Sequence, residues 1–230
     1  VTPVAPVPRW AFGSRAQLAH AVLLVVLLTA VFAALRGLAA VLLGPDFDMD
    51  VPSVGLFALL GLAVLVQAGA VVGLGLVRWG RLPLPALGWR SLNPQVDCAA
   101  GLLGFLAVAA VVLALRAAEG GPVPETLGLW LHQPFGARAI ALCIGLLASF
   151  NEESLFRGYL QKGLLVRLGP PAGLLLGAVV FALYHGNFAP LALLGKTLLG
   201  LVFGFLAILR KSLVPGALAH LLTWGVMGFT

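Results

Sequence analysis

Asn151-Glu152-Glu153-Ser154-Leu155-Phe156-Arg157-Gly158-Tyr159 places two adjacent carboxylates and an arginine at the end of a long apolar run. A charged side chain at the bilayer centre costs about 2.5 to 3.5 kcal/mol on insertion scales and more in simulation, so it is retained only where something compensates it. Read as a helix, the stretch sets Glu153 and Arg157 at i and i+4 on one face, within pairing reach, while Glu152 points about 100° away. Arg157 then neutralises Glu153 and holds it in place. Glu152 is left to face a different neighbour, out of water and beside a like charge, and a carboxylate so placed is a candidate general base.

The surroundings of this stretch fix the class of protein. The chain has 230 residues, of which 61% are hydrophobic and 10% charged. Its mean hydropathy is +1.07, far outside the range of soluble domains. This predicts an all-α fold, a polytopic transmembrane helical bundle of about seven spans. No polar segment is long enough to form a second, soluble domain. The net charge of +6 does not indicate nucleic acid, because the basic residues stand singly at the ends of apolar runs. That is the pattern of membrane topology, not of a phosphate-binding face. Cys98 and Cys143 have no CxxC partner and read as packing residues.

Upstream of the motif, Val1 to Arg15 reads as a short cytoplasmic tail with Trp10 as interfacial anchor. The sequence opens at Val1 and not at methionine, and nothing in the reading depends on it. The first apolar run, Ala16 to Leu43, is too long for a signal-peptide core and reads as an uncleaved span. Arg36 within it reads as an arginine reaching for the far interface. Gly44 to Pro52 carries Asp46, Asp48 and Asp50, a solvated acidic loop that lacks the glycine and distal glutamate of a calcium loop. Span two is expected at Ser53 to Val77. Arg78, Arg81 and Arg90 mark a cytoplasmic return whose prolines suggest a short interfacial piece. Span three, Asp97 to Leu115, leads to an outer loop with Glu119, Glu125 and a surface His132.

Span four starts near Phe135 and carries the motif; Arg157, Lys162 and Arg167 put its exit in the cytoplasm. Pro170-Pro171 opens span five, Ala172 to Phe188, and Pro190 opens span six, Leu191 to Leu209. Arg210 and Lys211 stop it, and span seven runs Val214 to Phe229. Every basic cluster falls on one side, so the amino terminus is expected in the cytoplasm and the carboxyl terminus outside. Gly200 and Gly204 form a GxxxG, a packing surface without chemistry of its own.

Three further polar groups lie in the last three spans: His185, His220 and Lys196. Lys196 is close enough to the start of span six to reach the outer interface. Two histidines, two glutamates and an arginine in so small a membrane region would each otherwise need a private partner. Their depths look discordant, since His185 stands about 20 Å from the cytoplasmic end of its span and His220 much closer to the start of its own. A tilt, a broken helix or a deep cavity has to bring them level.

The ordered set Glu152-Glu153-x-x-x-Arg157, Phe181-x-x-x-His185 and His220 resembles the CPBP family, the CAAX protease and bacteriocin-processing (Abi) intramembrane proteases. The resemblance covers about Phe135 to Thr230. It divides the chain into 1–134, with spans one to three, and 135–230, a core of spans four to seven with the active-site cavity. It implies an intramembrane endopeptidase in which Glu152 and His185 activate a water, Glu153 and Arg157 support the base, and His220 lines the same cavity. The family has been described both as metalloproteases and as glutamate-dependent proteases. Glu152, His185 and His220 could hold zinc with a position open for water. They could equally work without metal as an acid–base pair with an oxyanion partner. The metal-free version is favoured, because His185 has no second histidine at metal spacing on its own helix.

The family's last motif usually places Asn or Asp where Trp224 stands, and an indole N–H donates but cannot accept. Asn187 or Thr223 is the candidate substitute. The expected partners are a membrane-associated protein or peptide substrate and the lipid bilayer, with no nucleic acid; the expected location is an integral one in a bacterial inner membrane. The compact chain argues against a prenylated substrate. A non-proteolytic scaffold or regulatory member is the second reading, favoured by Trp224. A small transporter or proton relay is the third, weakened by the absence of evident inverted repeats. The sequence is silent on oligomeric state.

Overall fold

The computed structural model describes residues 8–44, 54–120 and 135–227. Asp46, Asp48, Asp50, Glu125, His132 and the Arg36 side chain lie outside the described residues. Within them the chain is helical, in the order Arg15–Leu43, Val54–Gln67, Ala68–Trp79, Leu84–Leu87, Pro94–Ala118, Phe135–Glu152, Glu153–Gln161, Lys162–Leu168, Pro170–Tyr184, Pro190–Arg210 and Val214–Met227. The helix starts follow from local chemistry. Ser14 accepts from the Gln17 N–H and Asn93 from the Val96 N–H, each closing a first turn whose donors have no partner within the helix. Pro94, Pro170 and Pro190 occupy first-turn positions, where a missing N–H costs nothing.

Five helices among the described residues are long and apolar enough to cross a membrane. Outward-facing Val22, Leu23, Val26, Leu102, Leu103 and Leu106 are exposed, as lipid-facing side chains must be. The chain is an integral membrane protein with a helical bundle. The seven expected spans correspond to helices, with one correction of bounds. Span five ends at Tyr184, because Gly186 takes a positive φ of 70° and the chain stays irregular as far as Ala189. At 15 residues, Pro170–Tyr184 is short of the ~20 that a full crossing takes. The interfacial piece expected after span two is the single turn Leu84–Leu87, closed by Gly88 at φ 114°.

The helix that carries the motif is the centre of the molecule. It runs unbroken from Phe135 to Leu168, but Glu153–Gln161 is π-helical and not α-helical as expected. All nine residues of that segment are buried, which a helix with one core face cannot achieve. It is surrounded instead. Gln17 Nε2 donates to the Tyr159 carbonyl, Gln161 Nε2 donates to the Gly204 carbonyl, and Lys162 Nζ donates to the Ala86 and Leu87 carbonyls. A π-helical turn widens the helix at one place, a distortion common at functional sites.

Small residues set how the last helices lie on this axis. A Cβ on Gly173 would meet the backbone of Leu164 and Leu165 at 2.7 to 2.8 Å, and one on Gly177 would touch Gln161. The Phe181 ring packs on Phe156 at 5.2 Å. Pro170–Tyr184 is therefore antiparallel to the motif helix, and one further turn of that register brings His185 level with Glu153. The last helix begins deep in the bundle. Leu213 N–H donates to the Gly88 carbonyl, and Leu213 and Leu87 both close on Gly158. This start, halfway along the motif helix, reconciles the discordant depths of the two histidines.

Candidate active site

Glu153, Arg157, Glu152 and His220 converge inside the bundle. Arg157 Nη1 is 3.3 Å from Glu153 Oε1, the i,i+4 pair that the spacing predicts, and both side chains are almost wholly out of solvent. The His220 ring lies between the two acids, with Nδ1 3.4 Å from Glu153 Oε1 and Nε2 3.8 Å from Glu152 Oε2. At these separations the His220 Nδ1 makes no hydrogen bond among the described residues. Among the described residues, Glu152 Oε2, both Glu153 carboxylate oxygens and the terminal nitrogens of Arg157 make no hydrogen bond. A buried charge so lightly tied down is expensive, which marks the cluster as more than a structural clasp.

Aromatic rings replace the missing hydrogen bonds around the cation. The Arg157 guanidinium stands 4.0 Å from the Phe181 ring centre and 5.3 Å from that of Phe203. Phe203 in turn stacks on His220 at 4.8 Å, with ring planes 18° apart. His185 joins through the same phenylalanine: its ring is 4.7 Å from Phe181, which is 6.2 Å from His220. The His185 Nδ1 is 2.8 Å from the Phe181 carbonyl, an N–H donation that orients the ring and leaves Nε2 as the other functional nitrogen. His185 is half-buried, unlike the two acids.

The structure thus gathers Glu152, Glu153, Arg157 and His220 directly and His185 through Phe181. Each candidate substitute for the family's amide holds a backbone group. Thr223 Oγ1 donates to the Ala219 carbonyl, and Asn187 Oδ1 accepts from the Ala189 N–H at the start of the next helix. Trp224 packs against Gly145 and the apolar cluster of Leu60, Val64, Ala141, Ile144 and Ala148. Lys196, expected to reach for the outer interface, is half-buried and lies within electrostatic range of both Glu152 and His185.

Several neighbours carry no sequence signal. Asn151 Nδ2 donates to the Val64 carbonyl, Tyr184 hydrogen-bonds the Gln67 side chain, and Trp89 Nε1 donates to Ser154 Oγ, which itself donates to the Phe150 carbonyl. Gly216 packs closely against the acid: a Cβ there would stand 3.0 Å from Glu153 Oε2. A polar residue beside the motif, as Asn151 is, was the signal available for the first of these. The others come from distant helices and become visible only when those helices pack.

Among the described residues no group of three or more His, Cys, Asp or Glu side chains is arranged to hold a metal ion. Glu152, His185 and His220 are accordingly not gathered as a three-donor set.

Residues 134–225 match the model of the Rce1-like family, described as type II CAAX prenyl endopeptidase Rce1-like. That segment contains every candidate site residue, and the match agrees with the CAAX protease resemblance of the ordered motifs. No curated protein and no solved structure matches the chain.

Proposed function

With the Rce1-like family core as premise, we propose that this chain is an intramembrane endopeptidase hydrolysing a peptide bond in a membrane-associated protein or peptide. The observation that carries the reading is the buried Glu152–Glu153–Arg157–His220 cluster with so few hydrogen bonds. Glu152 accepts a proton from water as the oxygen attacks the scissile carbonyl carbon, and returns it to the leaving amine as the C–N bond breaks. Glu153 is the fixed acid, its charge met by Arg157, and it steers the His220 ring from the opposite side. His185 orients the water or the substrate carbonyl through Nε2.

The core proposed for this chemistry is 135–230, with 1–134 supplying flanking spans in a bacterial inner membrane and a cytoplasmic amino terminus. A non-proteolytic scaffold or regulatory role is the second reading, and the burial of Trp224 in an apolar cluster is the observation that favours it. Co-expression with a panel of membrane-anchored reporter segments tests both. Cleavage by the wild type that disappears in Glu152→Gln, at equal expression, supports the peptidase. Intact reporters across the panel with a folded wild type support the scaffold.

A further inference from the structure

We propose that Arg9, Arg78 and Arg81 form a docking site for the headgroup of an anionic phospholipid, with the indoles of Trp10 and Trp79 as its floor; the inference stands apart from the peptidase reading. The site lies where one span begins and the next ends. The apolar segments Arg15–Ala34 and Leu59–Trp79 are packed together, with a Cβ at Gly75 only 2.7 Å from Leu24. Just outside them the Arg9 N–H donates to the Gly80 carbonyl at 3.0 Å, which sets Arg9 against the residue that precedes Arg81 and stands two after Arg78. The Arg9 guanidinium carbon is 5.3 Å from the Trp10 ring centre and 5.7 Å from that of Trp79, both within cation–π range. His20 fixes this floor from below. Its ring lies 4.5 Å from Trp10 and 6.1 Å from Trp79, and its Nδ1 is 2.9 Å from the Tyr159 hydroxyl on the motif helix. Arg81 takes a positive φ of 55°, a conformation that glycine enters freely and an arginine does not.

The three cations share this corner without a counter-charge among the described residues. Asp97, Glu119, Glu152 and Glu153 are the acids there, and each faces a basic group elsewhere: Arg210 at 2.7 Å, Arg116 at 3.7 Å, His220 at 3.8 Å and Arg157 at 3.3 Å in turn. Arg9, Arg78 and Arg81 are all exposed. Stacking occupies the flat face of the Arg9 guanidinium and leaves its N–H edge, whose fork matches two oxygens of a phosphodiester. The surroundings favour a lipid over free phosphate. Leu74, one turn before Arg78, is 65% exposed, Trp79 is 54% exposed, and Leu23 and Val26 of the first span also face outward. An apolar surface that ends in a basic cluster with tryptophans at the boundary fits an amphiphile, its acyl chains along the leucines and its phosphate among the guanidiniums. A zwitterionic headgroup fits less well, because it brings an ammonium of its own into a positive field.

The test uses the intact chain in a neutral detergent, with phosphatidylglycerol or phosphatidylcholine of matched acyl chains added and bound lipid counted by native mass spectrometry. Phosphatidylglycerol is expected to bind at least about tenfold more tightly than phosphatidylcholine. The double variant Arg78→Gln, Arg81→Gln should lower phosphatidylglycerol affinity at least about tenfold and leave phosphatidylcholine within about twofold, and Arg9→Gln should act in the same direction. Lys211→Gln makes the same change of charge at an exposed residue beyond a different helix, and it should leave both lipids within about twofold. Arg81→Gly removes one charge in a backbone conformation that suits glycine, so it reads the loss if the glutamine variants do not fold. By mass action phosphatidylglycerol should also raise the melting temperature of the wild type and lose that effect in the double variant. Equal binding of the two lipids, or phosphatidylglycerol binding that survives in the double variant, overturns the proposal. So does a loss in Lys211→Gln as large as in the double variant, since that is the signature of diffuse charge. Inorganic phosphate that displaces phosphatidylglycerol at equal concentration overturns the lipid as occupant.

Discussion

Arg157 and Phe181 meet face to charge: the guanidinium carbon lies 4.0 Å above the ring centre, in a setting with almost no solvent. A desolvated cation–π contact contributes about 2 kcal/mol. Phe181→Leu keeps an apolar side chain but removes the ring, so it should lower thermal stability by about that amount. Differential scanning fluorimetry of the purified protein reads the shift, and an unchanged melting temperature would contradict the contact's importance.

The Glu153–Arg157 pair makes a sharper demand. Removing one partner leaves an uncompensated charge in the interior, at a cost of about 3 to 5 kcal/mol. Arg157→Met and Glu153→Gln should each reduce folded yield severely. The double variant should be less damaged than Arg157→Met alone, because both charges leave together. Strict additivity of the two losses would show that the side chains are not coupled.

Glu152 predicts the opposite pattern. Its Oε2 makes no hydrogen bond among the described residues, so the near-isosteric Glu152→Gln should fold and melt like the wild type. Cleavage should fall by about 10²- to 10⁴-fold, the contribution of a general base. A variant that loses stability in step with activity would place Glu152 in the scaffold instead.

Gly216 lies close against Glu153, since a Cβ there would be a tight 3.0 Å from Oε2 and 3.5 Å from the Phe203 carbonyl. Gly216→Ala should push the Glu153 carboxylate off the His220 ring and reduce kcat at least about tenfold, a 1.4 kcal/mol change in the barrier. Assay of kcat and KM separately checks it, and wild-type turnover would mean the last helix yields freely.

Because no three-donor set is gathered among the described residues, cleavage is expected to be insensitive to strong chelators. Activity measured after prolonged incubation with 1,10-phenanthroline, against a heat-inactivated blank, decides the matter. A loss reversed by added zinc would show that the site rearranges to bind it.

The helices and the Glu153–Arg157 pair were legible in the sequence because both rest on local periodicity. The apolar runs are uninterrupted, the prolines stand at helix starts, and i,i+4 pairing survives the change from α- to π-helix. The π-helical turn was not legible, since its nine residues are buried from all sides by helices distant in sequence. Nor was the meeting of His220 with both acids. It depends on Leu213 anchoring to Gly88, a contact 125 positions away in the chain, and on glycines whose packing role appears only once the partner helix is in place. Lys196 was misplaced for a related reason: distance from a helix end gives depth, but only the face turned to the neighbouring helix decides whether a lysine points to lipid or to the interior.

The shortness of Pro170–Tyr184 bears on the bilayer itself. Fifteen residues rise about 22 Å, against a hydrocarbon core of about 30 Å. A helix that short cannot match the surrounding lipid, and the mismatch is relieved when the leaflet dimples toward it. On the peptidase reading, such a dimple would bring headgroups and water toward the level of His185, and the deformed leaflet would help to hydrate the proposed site.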